Sequence, residues 1–145
     1  MDDEAPVFER EVARHFSGDG EAAAEAYWDA VEGMISRGGF DILGHLDLIR
    51  KNNPHGEYFN PQGTRYRRRL RQIAPLAAHS GAVIEVNTGG LNRGKTADPY
   101  PSLELLKLLQ GEGGFINNKD VFFHTMLFLN ISHNFVFCYI FCHGG

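Results

Sequence analysis

The sequence predicts an α/β fold with parallel strands. Two observations carry this reading. Three segments with helical periodicity alternate with two short apolar strands, in the order helix, strand, helix, strand, helix. Each strand is joined to the next by a helix-length segment, and such crossovers imply a parallel sheet.

The first helix is predicted from about Gly20 to Arg37, with Ser17 or Asp19 as its cap. Tyr27, Val31, Met34 and Ile35 fall on one face at i, i+4, i+7 and i+8. Gly38 and Gly39 stop it. Phe40 to Leu43 follows as the first strand and ends at Gly44. Asn52 to Pro61, rich in Asn, Pro and Gly, reads as a loop. A second helix covers Pro61 to Ser80, with Tyr66, Leu70, Ile73 and Ala77 as its buried stripe and Pro75 as a kink. Its arginines, Arg65, Arg67, Arg68, Arg69 and Arg71, read as a solvated face. Ala82 to Thr88 is the second strand, rich in β-branched residues. Ser102 is placed to cap a third helix that carries Leu105, Leu106 and Leu109 to about Gly111.

Composition narrows the class. At 145 residues the chain is one domain at most. A formal charge of -4 argues against a nucleic-acid partner. Two cysteines, both near the end, provide no disulfide framework and fit a reducing compartment. The acidic opening Met1-Asp-Asp-Glu lacks the apolar core of a secretory signal, so the expected location is the cytoplasm.

From Phe115 the composition changes. Residues 115–145 hold seven of the eleven phenylalanines, and Lys119 and Asp120 are their only charged side chains apart from histidines. Val121 to Cys142 is long enough to cross a bilayer, at roughly 20 residues. Asn130, Asn134, His124 and His133 within it argue against a membrane helix, because polar groups are costly there. Cys138 and Cys142 with His143 lack the spacing and the second pair of a zinc site.

The chemistry-bearing residues gather just past the strands. His45 follows the first strand at what would be the carboxyl end, where α/β proteins place ligands. Neutral imidazole is the commonest metal-binding side chain. Asp47 is a candidate to orient that imidazole. Arg50 and Lys51 add positive charge suited to an anion. Glu85 and Asn87 alternate with apolar Ile84 and Val86, so they share one strand face. That pair reads either as a hydrogen-bonded polar interior or as a site floor that contacts substrate or fixes a histidine. Arg93, in a glycine-rich loop, is a candidate phosphate contact or a surface arginine.

Gly89 to Thr96 also satisfies the phosphate-loop pattern G-x-x-x-x-G-K-[ST]. Such a loop needs a helix that opens at the lysine. Pro99 and Pro101 follow too closely for that, since a proline inside a helix costs about 3 kcal/mol or more.

Several short blocks agree with one family. Phe40-Asp-Ile-Leu-Gly-His-Leu-Asp-Leu48, Glu85-Val-Asn-Thr-Gly-Gly-Leu91, Arg93-Gly94 and Pro99-Tyr-Pro-Ser102 resemble the histidinol-phosphatase branch of the polymerase-and-histidinol-phosphatase (PHP) family. The resemblance covers roughly Phe16 to Gly114. It implies residues 1–114 as a partial PHP domain, a fragment of a distorted (β/α)7 barrel, with 115–145 as an atypical tail. It implies a metal-dependent phosphoric monoester hydrolase that converts L-histidinol phosphate to L-histidinol in histidine biosynthesis, using divalent zinc, manganese or iron. On this reading His45 is a metal ligand. Arg93, Arg50 and Lys51 are phosphate or substrate contacts, and no catalytic residue is assigned.

The sequence departs from the family at both ends. It holds no His-x-His and no Ser-Asp-Ala-His, the motifs that supply most of the family's ligands. A catalytic zinc site takes three protein ligands as a rule. The expectation is therefore at most weak metal binding and no turnover by this chain alone, with the tail read as the product of a wrong frame or an unspliced intron. The alternatives are a non-catalytic α/β fragment that folds against a missing half or partner, and a nucleotide binder through Gly89 to Thr96.

Overall fold

The computed structural model describes residues 4–87 and 97–112. It is mixed α/β and mostly helical. Helix α1 spans Glu4–Phe16, α2 Gly20–Arg37, strand β1 Ile42–Gly44, a 3-10 turn Leu48–Asn52, α3 Thr64–Ala78, β2 Val83–Glu85 and α4 Leu103–Gly111. Arg93, the Gly89 to Thr96 pattern and the whole 115–145 segment lie outside the described residues.

Helix α1 is an addition to the sequence-predicted elements. Phe8, Val12 and Phe16 recur every fourth residue and give it an inward stripe, with Val12 buried. It ends where Ser17 and Gly18 turn left-handed, at φ 53° and 83°. Of the two predicted caps for α2, Asp19 is the one used: its Oδ1 accepts from Ala22 N at 3.0 Å. Gly20 then passes so close to Tyr58 that a Cβ would lie 2.1 Å from the Tyr58 carbonyl oxygen. Only glycine permits that approach.

The inward face of α2 is Ala24, Trp28, Val31 and Ile35. This corrects the predicted stripe in part: Met34 is exposed and Tyr27 half-buried. Trp28 provides the large apolar surface of the face, and its ring meets Tyr66 of α3 edge-on at 5.6 Å. The predicted stripe of α3 holds in full, with Tyr66, Leu70, Ile73 and Ala77 all buried.

The arginine face of α3 is solvated at Arg65, Arg68 and Arg71, as predicted, and needs a correction at Arg69. Arg69 is buried, and its Nη2 donates to Asp29 Oδ1 on α2 at 2.6 Å. Glu25 lies within 3.7 Å of Arg65, Arg68 and Arg69, and Glu104 of α4 lies 3.1 Å from Arg67. Arg69 therefore ties α3 to the acidic residues of α2, while the exposed arginines pair at the surface.

The two strands pair in parallel, Ile42 with Val83, Leu43 with Ile84 and Gly44 with Glu85. Both are shorter than predicted. Phe40 packs against the core from outside the strand, and Gly44 lies inside it. Leu43 and Ile84 point into the helical layer and are buried, while Ile42 is half exposed on the other face. Past β2, Asn87 bridges antiparallel to Tyr100. Ser102 caps α4 as predicted, its side chain accepting from Leu105 N at 3.3 Å. Among the described residues, no helix is long and apolar enough to cross a membrane.

Candidate functional site

Parallel register decides which polar groups meet. Gly44 ends β1 opposite Glu85, so the residue after Gly44 and the side chain of Glu85 arrive at the same sheet end. His45 is that residue. Its backbone is left-handed, with φ 49°, which turns the chain out of the strand. A non-glycine residue in that region stores of order 1 kcal/mol. The His45 ring lies back over the end of β2, with Nδ1 2.9 Å from Glu85 Oε2. Its other nitrogen, Nε2, is in hydrogen-bond contact with Asn87 Nδ2.

Gly44 makes room for this pair. A Cβ there would come within 2.8 Å of Glu85 Oε2. The predicted sharing of one face by Glu85 and Asn87 is what lets both reach one imidazole. The His45 side chain keeps 28% of its surface exposed and Glu85 keeps 12%, so the pair opens at the surface.

Asp47 does not orient His45. It is fully buried and turns the other way. Its Oδ2 accepts from Ser102 N at 2.9 Å and from Arg50 Nη1 at 3.1 Å. Asp47 thus ties the turn after β1 to the start of α4. A buried carboxylate demands paired charge and donors, and these are the ones within reach. It also reaches the nearby phenols. Burial first, and then the Asp47 charge, push the Tyr27 hydroxyl up to about 12. Tyr66 is raised in the same direction, again chiefly by burial.

Arg50 belongs to that buried junction. Besides Asp47 it donates to the Pro99 carbonyl at 3.2 Å, lies 3.6 Å from Asp98 and sits over the Tyr100 ring at 5.3 Å. With four partners it serves as a brace between the turn after β1 and the segment before α4. Lys51 is exposed in the same turn. Reasoning from sequence missed Asp98, the Pro99 carbonyl and Tyr100 as the partners of Arg50. Arg50, Tyr66, Tyr100 and Ser102 line a cavity of about 170 Å³ on this side.

His45 and Glu85 offer one imidazole and one carboxylate, with the Asn87 amide beside them. Among the described residues, no group of three His, Cys, Asp or Glu side chains is placed to hold a metal ion. The donor set is therefore short of a catalytic metal centre, although its histidine and carboxylate are of the right chemical type. Among the described residues, the first helix after the phosphate-loop pattern starts at Leu103, beyond both prolines. No protein-family model, curated protein or solved structure matches the chain.

Proposed function

We propose that this chain is the central portion of a histidinol-phosphatase of the PHP type, a fragment of the family's distorted barrel. The observation that supports the reading is the convergence of His45, Glu85 and Asn87 at the carboxyl ends of two parallel strands. Sites in open α/β folds are built at that end of the sheet.

In this reading His45 supplies one ligand to a divalent metal, and Glu85 lies beside the ring as part of the site floor. The metal would polarise a phosphoryl oxygen and activate water. The described residues do not complete its ligand set, so no step of the reaction is assigned to it. Ile42 and Glu85 belong to the sheet face opposite the helical layer, the face that would line a barrel's interior. The half-exposed Ile42 is consistent with that placement.

The test is hydrolysis of histidinol phosphate with zinc, manganese or iron supplied. The 145-residue chain alone is expected to show no turnover above background. A longer chain that adds the His-x-His and Ser-Asp-Ala-His segments is expected to turn over, and His45→Ala in it to lose most of the rate. A folded, metal-loaded longer chain with no phosphatase activity would remove the reading.

A second reading, a non-catalytic α/β piece that folds against a partner, draws on the sheet. Among the described residues it has two strands, each with an unpaired edge. Metal content separates the two readings, since a partner-dependent piece has no need of any.

A further inference from the structure

We infer that Glu85 is a positioning residue for His45: it holds the imidazole in its Nδ1–H tautomer, so that Nε2 is the one nitrogen with a lone pair to give. The geometry supplies the argument. Nδ1 lies 2.9 Å from Glu85 Oε2. An ionised carboxylate has only acceptors, so the neutral ring must put its proton on Nδ1 to bond there. Nε2 is then an acceptor, and the group in contact with it, Asn87 Nδ2, is a donor. The two contacts therefore demand the same tautomer from opposite sides of the ring.

This tautomer differs from the one that a free histidine side chain prefers in water, where the proton sits on Nε2. The protein must hold it in place, and three features of the chain do so. The left-handed backbone at His45 turns the ring over β2. Gly44 leaves the space that the Glu85 carboxylate occupies. The register sets Glu85 opposite Gly44 rather than one residue along, where its side chain would point into the helical layer.

Asn87 then has a definite part. Its amide occupies the lone pair that any divalent cation or proton donor approaching His45 would need. Ligation at Nε2 replaces that hydrogen bond, so Asn87 acts as a placeholder at that nitrogen. The service to a metal rests on the phosphatase reading. The tautomer does not, and it can be read with neither substrate nor metal present.

The experiment is ring-nitrogen NMR on the full 145-residue chain, at a pH well above the ordinary imidazole range. The His45 ring is assigned by its loss in His45→Gly. The expected result is a pyrrole-type Nδ1 and a pyridine-type Nε2 in the unaltered protein. Glu85→Ala should move the ring to the Nε2–H form, which the Asn87 amide can follow by turning its oxygen to Nε2, with backbone amide spectra checking that the fold persists. Asn87→Ala should leave the Nδ1–H form in place. An Nε2–H ring in the unaltered protein overturns the inference outright. So does a ring that keeps Nδ1–H in Glu85→Ala, or one that switches in Asn87→Ala alone.

Discussion

Two carboxylates flank the same histidine, one in sequence and one in space, and their fates are opposite. Asp47 is two residues from His45, yet it is fully buried and serves Arg50 and Ser102. Glu85 is remote in sequence, yet it meets the ring at 2.9 Å in a partly open site. Strand register accounts for Glu85, because Gly44 and Glu85 are paired. Chain direction accounts for Asp47, because the left-handed turn at His45 sends the next two residues back into the protein, where Leu46 and Asp47 are both buried. The difference teaches that sequence adjacency is a poor guide to a histidine's partner at a strand end. Pairing across the sheet decides it.

The comparison breaks hardest at Asp47. Removing one partner of a buried ion pair leaves the other uncompensated, at a cost of about 3–5 kcal/mol as a rule. Arg50 would keep Asp98 and the Pro99 carbonyl. Asp47→Ala should therefore fall near the low end, about 3 kcal/mol by urea unfolding. Glu85→Ala, at the more open site, should cost about 1 kcal/mol. Equal costs would mean that the two carboxylates are not differently employed.

Alkaline pH probes the phenols beside Asp47. The Tyr27 hydroxyl is raised to about 12 and Tyr66 is raised too. A phenol whose folded value exceeds its unfolded value of about 10 contributes stability that is full below about pH 10. That contribution is lost as pH rises from the unfolded value through the folded value of about 12, because the unfolded chain ionises first. Thermal melts should fall across that window, and Tyr27→Phe should flatten the fall. An identical slope in the variant would show that Tyr27 is not held neutral.

The turn itself supplies a smaller effect. Alanine at position 45 keeps a Cβ in a left-handed backbone, whereas glycine relieves it. His45→Gly should be more stable than His45→Ala by about 1 kcal/mol. The smallest change expected is Gly44→Ala. Its Cβ would meet only the far end of the Glu85 side chain, which can shift, so stability should drop by about 0.5 kcal/mol or less. The Glu85–His45 contact should nevertheless be lengthened, visible as a change in the His45 ring resonances.

These contrasts bear on what could be read in the sequence. Helices α2 and α4 were legible because caps and glycine stops mark their ends, and α3 because its apolar stripe is strongly periodic. Alternation along β2 put Glu85 and Asn87 on one face, and both do reach His45. Helix α1 was also legible, in the fourth-residue spacing of Phe8, Val12 and Phe16, but lies ahead of the residues that drew attention. Three things were hidden. Burial of Arg69 depends on the carboxylates of another helix, Asp29 and Glu25. The bracing of Arg50 depends on Asp98, Pro99 and Tyr100, which are distant in the chain. The turn of Asp47 depends on a single backbone angle at His45, which residue type does not announce, since histidine adopts it only occasionally.

The central claim is that His45 is coupled to Glu85 and not to Asp47. Two double-mutant cycles measured by urea unfolding test it most directly, one pairing His45→Ala with Glu85→Ala and the other pairing His45→Ala with Asp47→Ala. The account predicts a coupling of about 1 kcal/mol in the first cycle and a value within about 0.3 kcal/mol of zero in the second. A coupling confined to the Asp47 cycle would contradict it.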